Sequence, residues 1–190
     1  MKRLLLALLC ATAALPCGVE RQAVKTLADI DRLRVNTTPI DNTIAILNTR
    51  TAPSRRDLMA ASNYRIAPYE LQVWRVTGYL VGFKLEADED FHIVLADLDD
   101  PTQTMVVEIP SEHCMKGSGA LQASWQKRFG KATPKFKRVL AHKIMVQVTG
   151  YGFFDIIHGQ TGVARNGFEL HPLTDWKEVF AHGILPTVHH

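Results

Sequence analysis

The sequence predicts a mainly β protein: a small five-stranded barrel with one α-helix between its third and fourth strands, preceded by an N-terminal arm. Three observations lead there. Apolar, β-branched and aromatic residues gather in five short runs, at 71–85, 91–98, 104–109, 143–154 and 168–171, separated by turn formers. Only the segment around Leu121, Trp125 and Phe129, opened by Ser118 or Gly119, repeats its apolar residues at a convincing helical period. The first run is long and interrupted by Gly78 and Gly82, the bends a small barrel needs where its first strand passes from one sheet to the other.

Residues 1–18 read as a secretory signal peptide. Lys2-Arg3 precede the apolar stretch Leu4 to Leu15, and cleavage falls between 13 and 19. Cys17 follows Ala14-Leu15-Pro16, a poor match to a lipid-attachment signal. The expected location is therefore secreted or periplasmic. No apolar stretch of spanning length occurs elsewhere, so no membrane span is expected. Losing Lys2 and Arg3 lowers the formal charge from +3 to +1, which removes the basic pI as an argument for a nucleic-acid partner. Of the three cysteines, Cys10 leaves with the signal. Cys17 and Cys114 pair if cleavage precedes Cys17; otherwise Cys114 is a free thiol.

Residues 19–68 form an arm with too few apolar residues in register to build a core of its own. Val24 to Ile30 starts a short helix, and Thr43 to Leu47 is a helical turn or a short strand. Asn-Thr-Thr-Pro, Thr-Ala-Pro-Ser and Ile-Ala-Pro are turn or extended signals. The barrel domain is assigned to 69–174 and a C-terminal tail to 175–190. Within the barrel, the turn 86–90 follows the first strand, Asp99 to Thr102 forms the second turn, and Pro110 stops the third strand. Leu121, Trp125 and Phe129 mark the buried side of the helix, which Gly130 closes. Ile144, Val146 and Val148 point inward from the fourth strand, and the loop 158–167 leads to the fifth. Three strands, a helix and two strands is the element order of the OB-fold, against which another small barrel or a β-sandwich competes.

The motif text carries a closer resemblance. Val73-Trp74-Arg75-Val76-Thr77-Gly78, Asp90-Phe91-His92-Ile93-Val94-Leu95-Ala96-Asp97, Glu108-Ile109-Pro110, Gly152-Phe153-Phe154-Asp155, His158-Gly159-Gln160-Thr161-Gly162 and Glu169-Leu170-His171-Pro172 resemble those of a bacterial family of secreted, largely uncharacterised proteins. The resemblance implies export and one compact domain, and implies no chemistry.

Charge is segregated along the barrel. Lys84 to His113 holds nine acidic residues and one basic, whereas Cys114 to Phe154 holds eight basic and none acidic. The basic segment 127–143, with Lys127, Arg128, Lys131, Lys135, Lys137, Arg138 and Lys143, is either a face for nucleic acid or another anionic polymer, or a solvated surface balancing the acidic turns. In an OB-fold the loops corresponding here to 86–90 and 158–167 flank the ligand face. The first is strongly acidic, so it repels phosphate and suits a hard cation, a cationic ligand or a neutral sugar.

The expected function is that of a secreted binding or accessory module without catalysis, its ligand unknown. Candidate binding residues are His158, Gln160, Thr161, Arg165, Asn166, Glu169, His171, His92 and Arg75. A metal-dependent hydrolase or nuclease using His92, His158 and His171 is the alternative. A third reading is an interaction protein that docks through the arm. No cofactor is expected, a divalent metal being the one the residues allow. His113, Cys114 and Glu169 complete the zinc candidates, and Asp88, Asp90, Asp97, Asp99 and Asp100 are the calcium candidates. No G-x-S-x-G, P-loop or dinucleotide fingerprint occurs. Glycines and Asn166-Gly167 in the loop also suit simple turn geometry. Glu169 and His171, two apart on a strand, share a face, and a buried Glu169 needs a partner such as Arg75. A monomer is expected.

Overall fold

One long strand organises the chain. The computed structural model describes residues 17–139 and 144–180. Its helices are α1 (Gln22–Lys25), α2 (Ile44–Asn48), α3 (Arg55–Ala60) and α4 (Ser118–Phe129). Its strands are β1 (Asn36–Asn42), β2 (Gln72–Leu85), β3 (Phe91–Ala96), β4 (Thr104–Ile109), β5 (Lys137–Arg138), β6 (Met145–Phe154) and β7 (Phe168–Val179).

β2 is shared between two partners. Val73 to Tyr79 pairs antiparallel with β6, and Tyr79 to Leu85 pairs antiparallel with β3. The register shifts between Leu80 and Gly82. There the backbone of β5 crosses so closely that a Cβ on Gly82 would collide with the Lys137 carbonyl and the Phe136 ring. β3 pairs antiparallel with β4, β4 meets β7 in parallel at Val107 and Leu170, and β7 runs antiparallel to β6. The barrel therefore closes in the order β2-β3-β4-β7-β6-β2, with α4 between β4 and β6: an OB-like topology.

Several boundaries differ from the sequence reading for local reasons. β3 ends at Ala96 because the Asp97 carboxylate accepts the backbone N–H groups of Asp99 and Asp100, which turns the chain. Asn-Thr-Thr-Pro lies in β1, an outer strand parallel to β2, where an edge position tolerates Pro39. The last strand runs five residues into the segment assigned to the tail. Asp175 to Val179 continues the ladder with the first half of β6, and Trp176 packs 4.9 Å from Trp125. Lys143, the first residue assigned to the fourth strand and one of the basic set, lies outside the described residues.

The core lies inside the barrel and under α4. Phe83, Ile93, Leu95, Met105, Val107 and Ile109 supply one side; Val148, Phe154, Phe168 and Leu170 supply the other. Trp125, fully buried, plugs one end and meets the Phe83 ring edge-on at 6.0 Å. Ile44, Leu47 and Leu58 from residues 19–68 join the same core. Thr43 and Ser54 cap α2 and α3 by accepting the N–H groups of Ile46 and Asp57. A Cys17–Cys114 disulfide, Cα atoms 5.4 Å apart, ties the start of the described chain to the segment before α4. Among the described residues, no helix is long and apolar enough to cross a membrane.

Candidate functional site

Every residue of β3 is buried, so both faces of this strand are covered. Phe91, Ile93 and Leu95 face the core. His92, Val94 and Ala96 alternate onto the other face. The β3–β4 hairpin turns around Asp100 and places His92 opposite Glu108. Loop 158–167 lies over this face. Its Gly162, at φ +78°, leaves no room for a Cβ against Val94, and the Thr161 carbonyl accepts the His92 Nε2–H at 2.8 Å. Nδ1 then faces two carboxylates, Glu108 Oε1 at 3.0 Å and Glu86 Oε1 at 3.3 Å, so with acceptors at both ring nitrogens the imidazolium form donates from each.

The polar row continues inward. The other oxygen of Glu108 lies 3.1 Å from His171 Nδ1, which is also 3.3 Å from Glu169 Oε1. His171 Nε2 faces Asp90 Oδ2 at 3.4 Å, an ion-pair distance without hydrogen-bond alignment. Two imidazoles thus alternate with carboxylates on a buried face. Burial alone would lower both histidines. For His92 the hydrogen bond and charge of Glu108, helped by Thr161 and Glu86, outweigh it and raise the pKa. For His171 the contacts to Asp90, Glu108 and Glu169 win by more and hold it well above the usual range. Burial opposes ionisation of Glu108, but His171 and His92 keep its carboxyl well below the ordinary value. Glu169 goes the other way: burial, then the charges of Asp155 and Glu108, push it up to about 7 despite His171.

These shifts set the pH dependence of stability. Glu169 and His171 both hold protons in the folded state that they give up when unfolded. The Glu169 contribution is full below about 4.5 and is lost as pH rises through about 7. The His171 contribution is full below about 6.5 and is lost above that, as pH rises through its raised value. Glu108 acts oppositely, but only below about 4.5. Thermal melts should therefore fall from pH 5.5 to 8.5, with a slope of up to about 1.4 kcal/mol per pH unit for each proton released. Glu169→Gln, which copies the protonated carboxyl, should flatten the step near neutrality. Melting temperatures that rise from pH 5.5 to 7 would contradict this account.

Beside the row lies an open cavity of about 360 Å³. Loop residues Glu86 and Asp88 wall one side; Asp155, His158 and Gln160 wall another. The two loops that the sequence places at the ligand face thus meet at one cavity. The third wall, Gly18 to Lys25, follows directly from the disulfide. Six carboxylates line the space (Glu20, Glu86, Asp88, Glu108, Asp155 and Glu169) against Lys25, His92 and His158. Burial would lower Lys25, yet Glu108, Asp155, Glu169 and Asp88 raise it. Burial and Asp155 together raise Glu20. Asp155 is 8% exposed; its Oδ2 accepts from Gln160, while Oδ1 accepts no hydrogen bond and has only Lys25 Nζ at 3.7 Å. Glu20 Oε1 is likewise buried without a donor.

Of the predicted site residues, the structure brings together His92, His171, Glu169, Gln160 and the Thr161 carbonyl. His158 lines the same cavity but stands exposed at its rim, and among the described residues the groups at metal-ligand spacing do not include it, so the trio His92, His158 and His171 does not form; Glu108 lies between His92 and His171 instead. Arg75 forks onto Asp41 of β1, not Glu169, because parallel pairing sets Asp41 beside it. Asn166 fastens the loop to the arm by donating to the Leu47 and Arg50 carbonyls. Arg165 is exposed. Cys114 is in the disulfide, which removes it as a zinc ligand. The calcium set is split between opposite ends of β3, where Asp97 and Asp100 spend their oxygens on turn N–H groups. In the basic segment, Arg128 is paired with Glu178 and Lys137 donates to the Phe129 carbonyl.

No protein-family model matches the chain, and no curated protein sequence matches it. Among solved structures the chain is similar to asparaginyl-tRNA synthetase from Entamoeba histolytica, at 11% identity and a TM-score of 0.34 over 62% of this chain. The match covers 23% of that protein.

Proposed function

We propose that this chain is an exported OB-like binding module, without catalysis of its own, that takes a cationic ligand into the acidic cavity between loops 86–90 and 158–167. The observation that carries the reading is the excess of carboxylates around one open space, with Glu20 Oε1 buried without a hydrogen bond and Asp155 Oδ1, also without one, facing only Lys25 Nζ at 3.7 Å. A buried acceptor without a partner costs free energy that a bound cation or N–H donor recovers. The Cys17–Cys114 disulfide and the apolar N-terminus behind Lys2-Arg3 support export.

Titration calorimetry tests the reading with three cationic probes (spermidine, calcium and zinc) and one polyanion, a heparin-type oligosaccharide. At least one cation should bind with a saturable heat, and Asp155→Asn should weaken it about 10-fold or more, the loss of one charged contact. The oligosaccharide should give no heat. Binding of the polyanion alone would move the function to the basic segment and overturn the proposal. The metal-dependent hydrolase is the second reading, favoured by the opening of His92, Glu86 and Glu108 onto the cavity.

A further inference from the structure

Resting on that reading of the cavity, the geometry points to the class of cation: a zinc-type divalent metal held by Glu86, His92 and Glu108, with a remaining coordination position open to the cavity. One donor atom from each of the three lies within 4.8 Å of the others. Zinc bonds oxygen and imidazole nitrogen at about 2.0–2.2 Å, so tetrahedral ligands stand about 3.3–3.6 Å apart. The spacings of His92 Nδ1 from Glu108 and Glu86 are 3.0 and 3.3 Å, so the ligands need to part by only a few tenths of an ångström to admit the ion.

The surroundings of the trio are those a metal centre needs. A metal-bound imidazole characteristically donates its other N–H to a fixed acceptor, which orients the ring. Here the Thr161 carbonyl does so, and loop 158–167 becomes the support of the site. Glu108 is steadied from behind by His171, on the oxygen that does not face His92. The cavity supplies a way in from solvent and room for water or a ligand. The nearby buried oxygens, Asp155 Oδ1 and Glu20 Oε1, lie on the same cavity and can accept from a metal-bound water.

Asp90, Glu108 and His171 also cluster, but there His171 and Asp90 are buried, neither lines the cavity, and an ion would have no open position. Calcium prefers six to eight oxygens at about 2.3–2.6 Å, which a set containing an imidazole does not offer. The ion must draw Glu86 from Lys84, whose Nζ lies 2.8 Å from the same oxygen.

The experiment uses the oxidised, metal-stripped protein. Zinc is titrated by calorimetry, and cobalt(II) is followed by its visible absorption, which reports nitrogen and oxygen ligation in a tetrahedral field. One ion per chain should bind. Glu86→Gln should weaken zinc about 10- to 100-fold, as should His92→Gln if that variant keeps the wild-type circular dichroism; the Glu86 variant, at the cavity edge, carries the test if it does not. Glu89→Gln, an exposed acid in the same turn, should bind as wild type. Absence of saturable zinc and cobalt binding overturns the inference. So does equal binding by wild type and Glu86→Gln, which would mean adventitious zinc. If spermidine binds and zinc does not, the acidic-cavity reading survives and the metal site falls; if no cation binds, both fall.

Discussion

Replacing Cys17 and Cys114 together by serine is expected to lower the unfolding free energy by about 4–5 kcal/mol. The bond joins residues 97 apart in sequence. Opening a loop of that length returns to the unfolded chain an entropy worth about 4.7 kcal/mol at 25 °C on the chain-entropy account. For a chain of this size that corresponds to a drop of about 10–15 °C in melting temperature. The consequence for the cavity is more specific. Gly18, Val19 and Glu20 follow Cys17 directly and form one wall. Without the bond, that wall is held by what comes after it, starting with Arg21. The variant should therefore lose cation binding at temperatures where its far-ultraviolet circular dichroism remains native. Wild-type protein melted with and without a reducing agent gives the same comparison without mutation. A loss below about 1 kcal/mol would show that native contacts already confine the segment and that loop entropy is the wrong account.

The barrel was legible because its signals are local. The five apolar runs, the helix ending at Gly130 and the interruptions at Gly78 and Gly82 each follow from residues close in sequence. The arm was less so, because what decides it is tertiary. Asn36 to Asn42 contains turn formers, and only the free edge of β2 makes it a strand. The extension of β7 beyond Pro172 depends in the same way on a vacant stretch of β6 and on Trp176 meeting Trp125.

The site divides along the same line. A hairpin centred on Asp100 must pair His92, eight residues before it, with Glu108, eight after. Each is also a lone ionisable group in an otherwise apolar strand, so this pair could have been found from the sequence. Glu169 and His171 on one face follow from strand alternation. Lys25, Glu20 and Asp155 gave no such signal. They reach the cavity because the N-terminal segment folds back over the barrel, and neither periodicity nor turn chemistry specifies that return. The three histidines fail to converge for a related reason: residue type suggested His158, whereas barrel register sets Glu108 between His92 and His171.

Removal of Arg21 is the second large effect, and it tests what holds that returning segment. Arg21 is 3% exposed and forks onto Glu70, with Nη1–Oε1 2.6 Å and Nη2–Oε2 2.7 Å. Its remaining N–H groups donate to the carbonyls of Ala61, Tyr64 and Phe154, and its plane lies 4.7 Å from the Phe153 ring centre. Glu70 is fully buried and also accepts the backbone N–H groups of Ile66 and Phe154. One ion pair thus joins α1, the arm and the end of β6. Arg21→Ala should cost about 3–5 kcal/mol, because it strands a carboxylate that water does not reach. Glu70→Ala should cost a similar amount by stranding the guanidinium. The double replacement Arg21→Met with Glu70→Leu should cost clearly less than the sum of the singles, since no charge is then left unpaired. Chemical denaturation of the four proteins decides it. Additive losses would mean that each side chain acts through packing alone. Because Lys25 lies one helical turn beyond Arg21, the double variant also separates stability from function. If it folds well yet loses the cation, the ion pair is there to place the cavity wall, and its burial is explained by the site it positions.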